Sequence, residues 1–260
     1  MFRVIVLLVL CLLPGLAAAD VCPGNPDALS TARVLALNAA STPQVGRKHF
    51  AQTLPLAPKE VVLTFDDGPG LGTTARVLDA LQHECVRATF FLVGRNALEY
   101  PALVRRTFAE GHSIGHHTYS HPLLERMPQA AAESEIDRGI AADETALYGQ
   151  PAVRPVTPFF RFPGFASTPY LLERLADRGI IVFGADLWAS DWNTMSPEQE
   201  LRLVLDRLAA AGGGIVLFHD TRAQTAAMLP AFLRELRRGG YRVVHVIPSP
   251  APALAAAYSR

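Results

Sequence analysis

The sequence predicts an α/β protein assembled from parallel βαβ units, and three observations carry that prediction. From Lys59 onward, short runs rich in Val, Ile and Phe alternate with longer segments of helical periodicity. The first of those runs, "VVLTF" (residues 61–65), is apolar almost throughout, as expected of a strand covered on both faces. The helical segments carry start and stop signals of their own. The 260 residues, half of them apolar, suffice for a substantial core.

Taken in order, "VVLTF" is followed by the helical "TTARVLDALQHE" (73–84), and "ATFFLVG" (88–94) by "PALVRRTFAEG" (101–111). "SIGHHT" (113–118) leads to "AAAESEIDRGIAADETALYG" (130–149), and "FFRFP" (159–163) to "TPYLLERLADRG" (168–179). "IIVFGAD" (180–186) precedes "SPEQELRLVLDRLAAAG" (196–212), "GIVLF" (214–218) precedes "AAMLPAFLRELRRGG" (226–240), and "YRVVHVI" (241–247) closes the series. Thr168-Pro169 and Ser196-Pro197-Glu198 place a capping hydroxyl before a proline at the first helical position, and Gly111, Gly149, Gly179 and Gly212 stand at helix ends. Seven strands separated by six helices fit either an open doubly wound sheet or a closed barrel. No glycine-rich phosphate loop follows the first strand.

Residues 1–19 read as a secretory signal peptide: Arg3, the apolar "VIVLLVLCLL", then a small-residue site before Asp20. Ten apolar residues fall short of the ~20 that span a bilayer as a helix, so the mature chain is expected to be secreted or periplasmic, with no membrane span. Cleavage removes Cys11 and leaves Cys22 and Cys85, for which one bridge is the natural expectation in an oxidising compartment. Residues 20–58, rich in Pro, Ala, Ser and Thr, read as an extension lying on a main domain of residues 59–250, with 251–260 as a tail. Lys plus Arg equals Asp plus Glu at 24 each without clustering, which gives no nucleic-acid footprint.

Polar residues gather where strands end. Asp66-Asp67 follow the first strand, His117 and His121 the third, Arg161 lies in the fourth, Asp191 lies beyond the fifth, and His219-Asp220 follow the sixth. In a β/α barrel those ends share one face, where active sites are built. His117 and His121 are four apart, which on a helix places both rings on one face. With Asp67 they make two imidazoles and a carboxylate, a zinc donor set that leaves one position open. His116, next door, is expected to be structural. Asp66 is then free to act as a base, Arg161 as its enclosed partner, and His219, paired with Asp191, as an acid.

The ordered set "TFDDG", "HTYSH", "RFPG", "SDW" and "IVLFH" resembles the five motifs of the polysaccharide deacetylases of the NodB-homology type, carbohydrate esterase family 4, over about residues 60–247. The resemblance implies a distorted (β/α)7 barrel and a divalent metal, zinc foremost, with cobalt or nickel able to take its place. By motif, Asp66 matches the general base, Asp67, His117 and His121 the metal ligands, Arg161 the residue orienting the base, His219 the general acid and Asp191 its partner. Leu217 matches the wall of the acetyl pocket. Gly164 stands where the family usually has an aromatic residue whose backbone N–H helps hold the oxyanion; glycine keeps the donor, and Phe165 is the candidate to replace the ring. Trp192, Trp188, Tyr119 and Phe165 are candidate sugar-stacking surfaces. The implied activity is removal of N-acetyl groups from N-acetylglucosamine-containing poly- or oligosaccharides. An O-acetyl ester hydrolase acting on xylan, for example, and a carbohydrate-binding relic are the alternatives, the second opposed by the complete set of polar residues.

Overall fold

The computed structural model describes residues 22–151 and 155–249; the expected signal peptide, its expected cleavage before Asp20 and the 251–260 tail lie outside the described residues. In chain order the elements are β1 (Thr31–Leu37), β2 (Gln44–Val45), β3 (Glu60–Asp66), α1 (Thr74–His83), β4 (Thr89–Leu92), α2 (Gly94–Glu99), α3 (Pro101–Ala109) and β5 (Ser113–His116). They continue with α4 (Gln129–Tyr148), β6 (Phe159–Phe160), α5 (Pro169–Asp177), β7 (Ile181–Phe183), β8 (Leu187–Trp188), α6 (Pro197–Ala211), β9 (Gly214–His219), α7 (Ala223–Arg238) and β10 (Arg242–Pro248). The strands form one parallel sheet curled into a distorted barrel, with the helices outside.

β3 is its hinge. One edge of β3 pairs with β9 along residues 61–66, while the other is shared, pairing with β10 at Glu60 and Val61 and with β4 from Thr64 to Asp66. The barrel therefore forks, with β10 and β1 forming a branch at its amino-terminal end. Strand alternation sorts the side chains. Val61, Leu63 and Phe65 of β3 with Val216 and Phe218 of β9 face the helices, in a cluster with Leu78, Leu229 and Phe232. Val62 and Ile215 face inward, against Phe91, Phe159, Ile181 and Phe183. The same alternation turns Thr64, Asp66, Leu217 and His219 into the barrel, so the carboxyl ends of β3 and β9 deliver an acid and an imidazole to its mouth. Asp66 and His219 are register partners across that ladder.

The helix signals act as capping chemistry predicts. Thr168 Oγ1 accepts from Leu171 N–H, Ser196 and Gln199 form a reciprocal capping box, and Gly149 and Gly212 are left-handed caps.

The seven predicted strands and six predicted helices are all present, and the described residues add three strands, one of seven residues and two of two, and one α-helix. The 20–58 segment does more than lie on the main domain: β1 pairs with β10 and β2 with β7, so it supplies two strands of the same sheet. β2 has two residues, too few to leave a pattern, and β1 is an edge strand whose alternate residues remain partly exposed. α2 starts on a glycine and ends before Pro101, punctuation that reads as a loop. Cys22 and Cys85 are joined by a disulfide behind α1, at the end of the barrel opposite Asp66 and His219.

Candidate active site

At the mouth, Asp67 follows β3 directly, with a left-handed backbone (φ 74°) that turns its carboxylate away from that of Asp66. Divergence of adjacent carboxylates is what lets one hold a metal and the other act on water. Asn96 of α2 donates to the Asp67 carbonyl at 2.8 Å, and Val93 N–H to the Gly68 carbonyl at 3.0 Å.

The histidine pair departs from the helical reading. Residues 117–121 form a loop after β5, with Thr118 and His121 left-handed (φ 66° and 65°), and this fold of the backbone, not a helical turn, brings the two rings to 4.9 Å. The loop is pinned from two sides. Gly94 and Arg95 of α2 donate to the carbonyls of Thr118 and Tyr119, and Glu135 of α4 accepts from Ser120 N–H and Oγ. α4 comes this close because residue 139 is glycine: a Cβ there would stand 2.5 Å from the Thr118 carbonyl carbon.

One ligand atom from each of Asp67, His117 and His121 lies within 4.8 Å of the others. Asp67 Oδ1 is 3.1 Å from His121 Nε2 and 3.6 Å from His117 Nε2, and it is buried without a hydrogen-bond partner. An orphaned carboxylate oxygen facing two imidazole nitrogens is a donor set that suits a cation. His117 Nδ1–H donates to the Arg161 carbonyl at 2.7 Å, which fixes the tautomer and leaves the Nε2 lone pair toward Asp67. The three residues thus fit one divalent metal. Burial opposes ionisation of Asp67, but the His121 contact and the charges of His117, His219 and His121 hold it well below the usual carboxylate range. Burial lowers His117, whereas contact with Asp67 raises His121.

Arg161 stands just past β6 rather than within it, fully buried. It donates to Asp66 Oδ1 at 2.6 Å, Thr64 Oγ1 at 2.9 Å, and the carbonyls of Gly184 at 2.8 Å and Phe183 at 3.3 Å, and it lies over the Phe91 ring at 4.3 Å. Its donors are spread over a frame from which Asp66 cannot swing, and the free Asp66 Oδ2 faces His117 Nε2 at 3.8 Å. On the far side of Asp67, His219 Nε2 lies 4.0 Å from Oδ2. His219 Nδ1 meets Asp191 Oδ1 at 2.7 Å, and its backbone N–H donates to Asp191 Oδ2 at 2.7 Å. Burial lowers the imidazole pKa, but the hydrogen bond and charge of Asp191 outweigh it and raise the group to about 9.

Residues 54–183 match the polysaccharide deacetylase family. The chain belongs to that family. It is 33% identical over 188 residues to the peptidoglycan-N-acetylglucosamine deacetylase PgdA of Listeria monocytogenes, a match covering 72% of this chain but only 38% of the relative. A chitooligosaccharide deacetylase of Bradyrhizobium is 31% identical, with 73% of this chain and 90% of the relative covered. Among solved structures, a peptidoglycan deacetylase of Bdellovibrio bacteriovorus superposes with a TM-score of 0.75 at 32% identity, covering 86% of this chain and 61% of that one.

The remaining sequence-predicted residues surround this centre unevenly. Leu217 is buried, opposite Trp188 in the β8–β9 ladder. Trp192 is 44% exposed, its ring perpendicular to that of His219 at 6.0 Å and 6.0 Å from Trp188. Gly164 is exposed and left-handed (φ 56°), a backbone that an aromatic residue adopts only with strain, whereas the atom a Cβ would meet, at 2.8 Å, is the movable tip of the Leu123 side chain. Phe165 does not stand free as a sugar platform: His49 stacks on it at 3.8 Å, and Lys48 lies over Trp188 at 5.3 Å. Arg138 likewise covers Tyr119 at 3.9 Å. His49 and Lys48 lie before the family match, and sequence reasoning passed over them for want of a motif. Asn96 and Gly139 were missed for a different reason, since their action is through backbone proximity.

Proposed function

We propose that the protein is a metal-dependent hydrolase that removes N-acetyl groups from N-acetylglucosamine-containing poly- or oligosaccharides. The observation that carries this reading is that a metal-fitting set is flanked by an Arg161-held carboxylate on one side and an Asp191-held imidazole on the other. The activities by which the relatives are known support the substrate class, although the chain spans only about 38% of the Listeria relatives' length. Two imidazoles and one carboxylate favour zinc. When bound, the ion supplies Lewis acidity, polarising the acetyl carbonyl and easing loss of a proton from water.

The chain's own residues do the rest. Asp66 takes the proton of the attacking water through the oxygen that Arg161 leaves free. The backbone N–H of Gly164 is assigned to the carbonyl oxygen as it gains charge. His219 gives its Nε2 proton to the departing amine nitrogen, so that acetate and a free amino sugar leave. Leu217 lines the acetyl pocket and Trp192 the sugar side. The disulfide supports export to an oxidising compartment, where such polymers lie.

The test is acetate release from peptidoglycan, chitin oligomers and acetylxylan, measured beside metal content. Wild type should act on N-acetylated polymers and lose activity to a chelator. Asp66→Asn should keep its metal and fall by about a hundredfold or more in kcat. Preference for acetylxylan would move the assignment to ester hydrolysis, and no turnover on any substrate would sink it.

A further inference from the structure

Behind Asp191, away from the mouth, lies a carboxyl group that the proposed mechanism does not use. Glu200, in the first turn of α6, is fully buried on the face that also carries Val204 and Leu208. Its Oε1 lies 2.9 Å from Thr225 Oγ1, near the start of α7, and the same hydroxyl lies 2.8 Å from Asp191 Oδ2. Glu200 Oε2 is buried without a hydrogen-bond partner.

Counting hydrogens shows what this arrangement requires. The Thr225 hydroxyl carries one hydrogen and sits between two carboxyl oxygens, so two ionised carboxylates would leave one short oxygen–oxygen contact with no proton in it. One of the two acids is therefore neutral. Asp191 accepts from His219 Nδ1 on Oδ1 and from His219 N–H and the Thr225 hydroxyl on Oδ2, so its two oxygens already have three donors and need no proton of their own. Glu200 has Thr225 alone.

We propose that Glu200 is held as the neutral acid, donating from Oε1 to Thr225 Oγ1, and that it is thereby a positioning residue for the His219–Asp191 pair. This rests on the hydrolase reading above. The donated proton commits the Thr225 hydrogen to Asp191 Oδ2, which keeps the Asp191 carboxylate aligned with both donors of His219. The charged groups acting on Glu200 agree: burial first, and then the Asp191 charge, push its carboxyl up to about 7, while the Thr225 bond and the His219 charge pull the other way.

Two measurements test the proposal. The infrared difference between wild type and Glu200→Gln at pH 6 should contain a protonated-carboxyl band from the wild type; its absence would overturn the proposal whether or not the enzyme turns over. In kinetics, Glu200→Gln should keep kcat within about threefold, because its amide also donates to Thr225. Glu200→Ala should lose about tenfold in kcat with little change in KM, the mark of a misaligned acid. A Glu200→Gln variant as impaired as Glu200→Ala would also overturn it. If no substrate is turned over at all, the hydrolase reading fails and the infrared result alone decides the state of Glu200.

Discussion

At the scale of single residues, the telling group is His219. Burial lowers its pKa, and the Asp191 hydrogen bond and charge reverse that, raising it to about 9. The protonated imidazole is the acid, so activity that depends on it is present below this pKa and falls as pH rises through it. Asp191→Asn removes the charge, lowers the pKa and should move the alkaline fall in kcat/KM to lower pH. A bound cation lowers the His219 pKa as a whole but leaves the sign of this difference intact. Profiles of wild type and Asp191→Asn on one N-acetylated oligosaccharide check it; superimposable alkaline limbs would remove His219 from the role of acid. His219 was legible in the sequence because it directly follows an apolar run, and Asp191 because it lies in the SDW motif beyond the fifth one. Glu200 left a fainter mark, a carboxylate on the stripe otherwise formed by Val204 and Leu208.

At the scale of elements, the metal-fitting set depends on how α2 and α4 press on the loop that carries His117 and His121. Gly139 permits that approach, and its replacement by alanine puts a methyl group 2.5 Å from a backbone carbon of Thr118, which side-chain rotation cannot relieve. Gly139→Ala should therefore cost about 1–3 kcal/mol of stability and weaken metal binding as the loop is displaced. Urea unfolding and metal titration of the variant check this, and unchanged metal affinity would show that the loop absorbs the shift elsewhere. α2 was not read from the sequence because six residues between a strand and a proline carry no helical period. Its contribution is positional: two N–H groups, one asparagine side chain and the preceding Val93 N–H tie the loops of Asp67 and His117 together.

At the scale of the whole molecule, the two ends of the barrel have different tasks. The disulfide between Cys22 and Cys85 closes a separation of 63 residues at the end away from the site. Cys22→Ala/Cys85→Ala should lower stability by about 4 kcal/mol in the chain-entropy model while leaving kcat nearly intact. Urea unfolding beside acetate release measures both. The same end holds two buried neutral histidines. His112 Nδ1 accepts from Ala88 N–H at 3.1 Å, and His245 Nε2 meets Ser113 Oγ at 3.0 Å. Burial lowers His112 to about 3 and His245 to about 4. Their folded pKa values lie below the unfolded value near 6.5, so on acidification the unfolded chain binds protons first. Stability should fall as pH drops from about 6.5 toward 4, and a His112→Gln variant should show a shallower slope over that window. Equal slopes in wild type and variant would count against a neutral buried His112.

The sequence by itself determined the alternation of strands and helices, the caps at Thr168 and Ser196, and the identity of the residues at the carboxyl ends of the strands. Each of these is local: apolar period, hydroxyl chemistry and the point where an apolar run stops are all written within a few residues. Tertiary structure alone decided that residues 31–37 and 44–45 join the sheet, that His117 and His121 meet through two left-handed loop residues rather than a helical turn, and that His49 lies against Phe165. It also decided that Glu200 and Asp191 share one hydroxyl across 9 residues of chain and two elements. Those facts turn on the separation of backbones brought together by folding, a quantity that no pattern within a short window encodes.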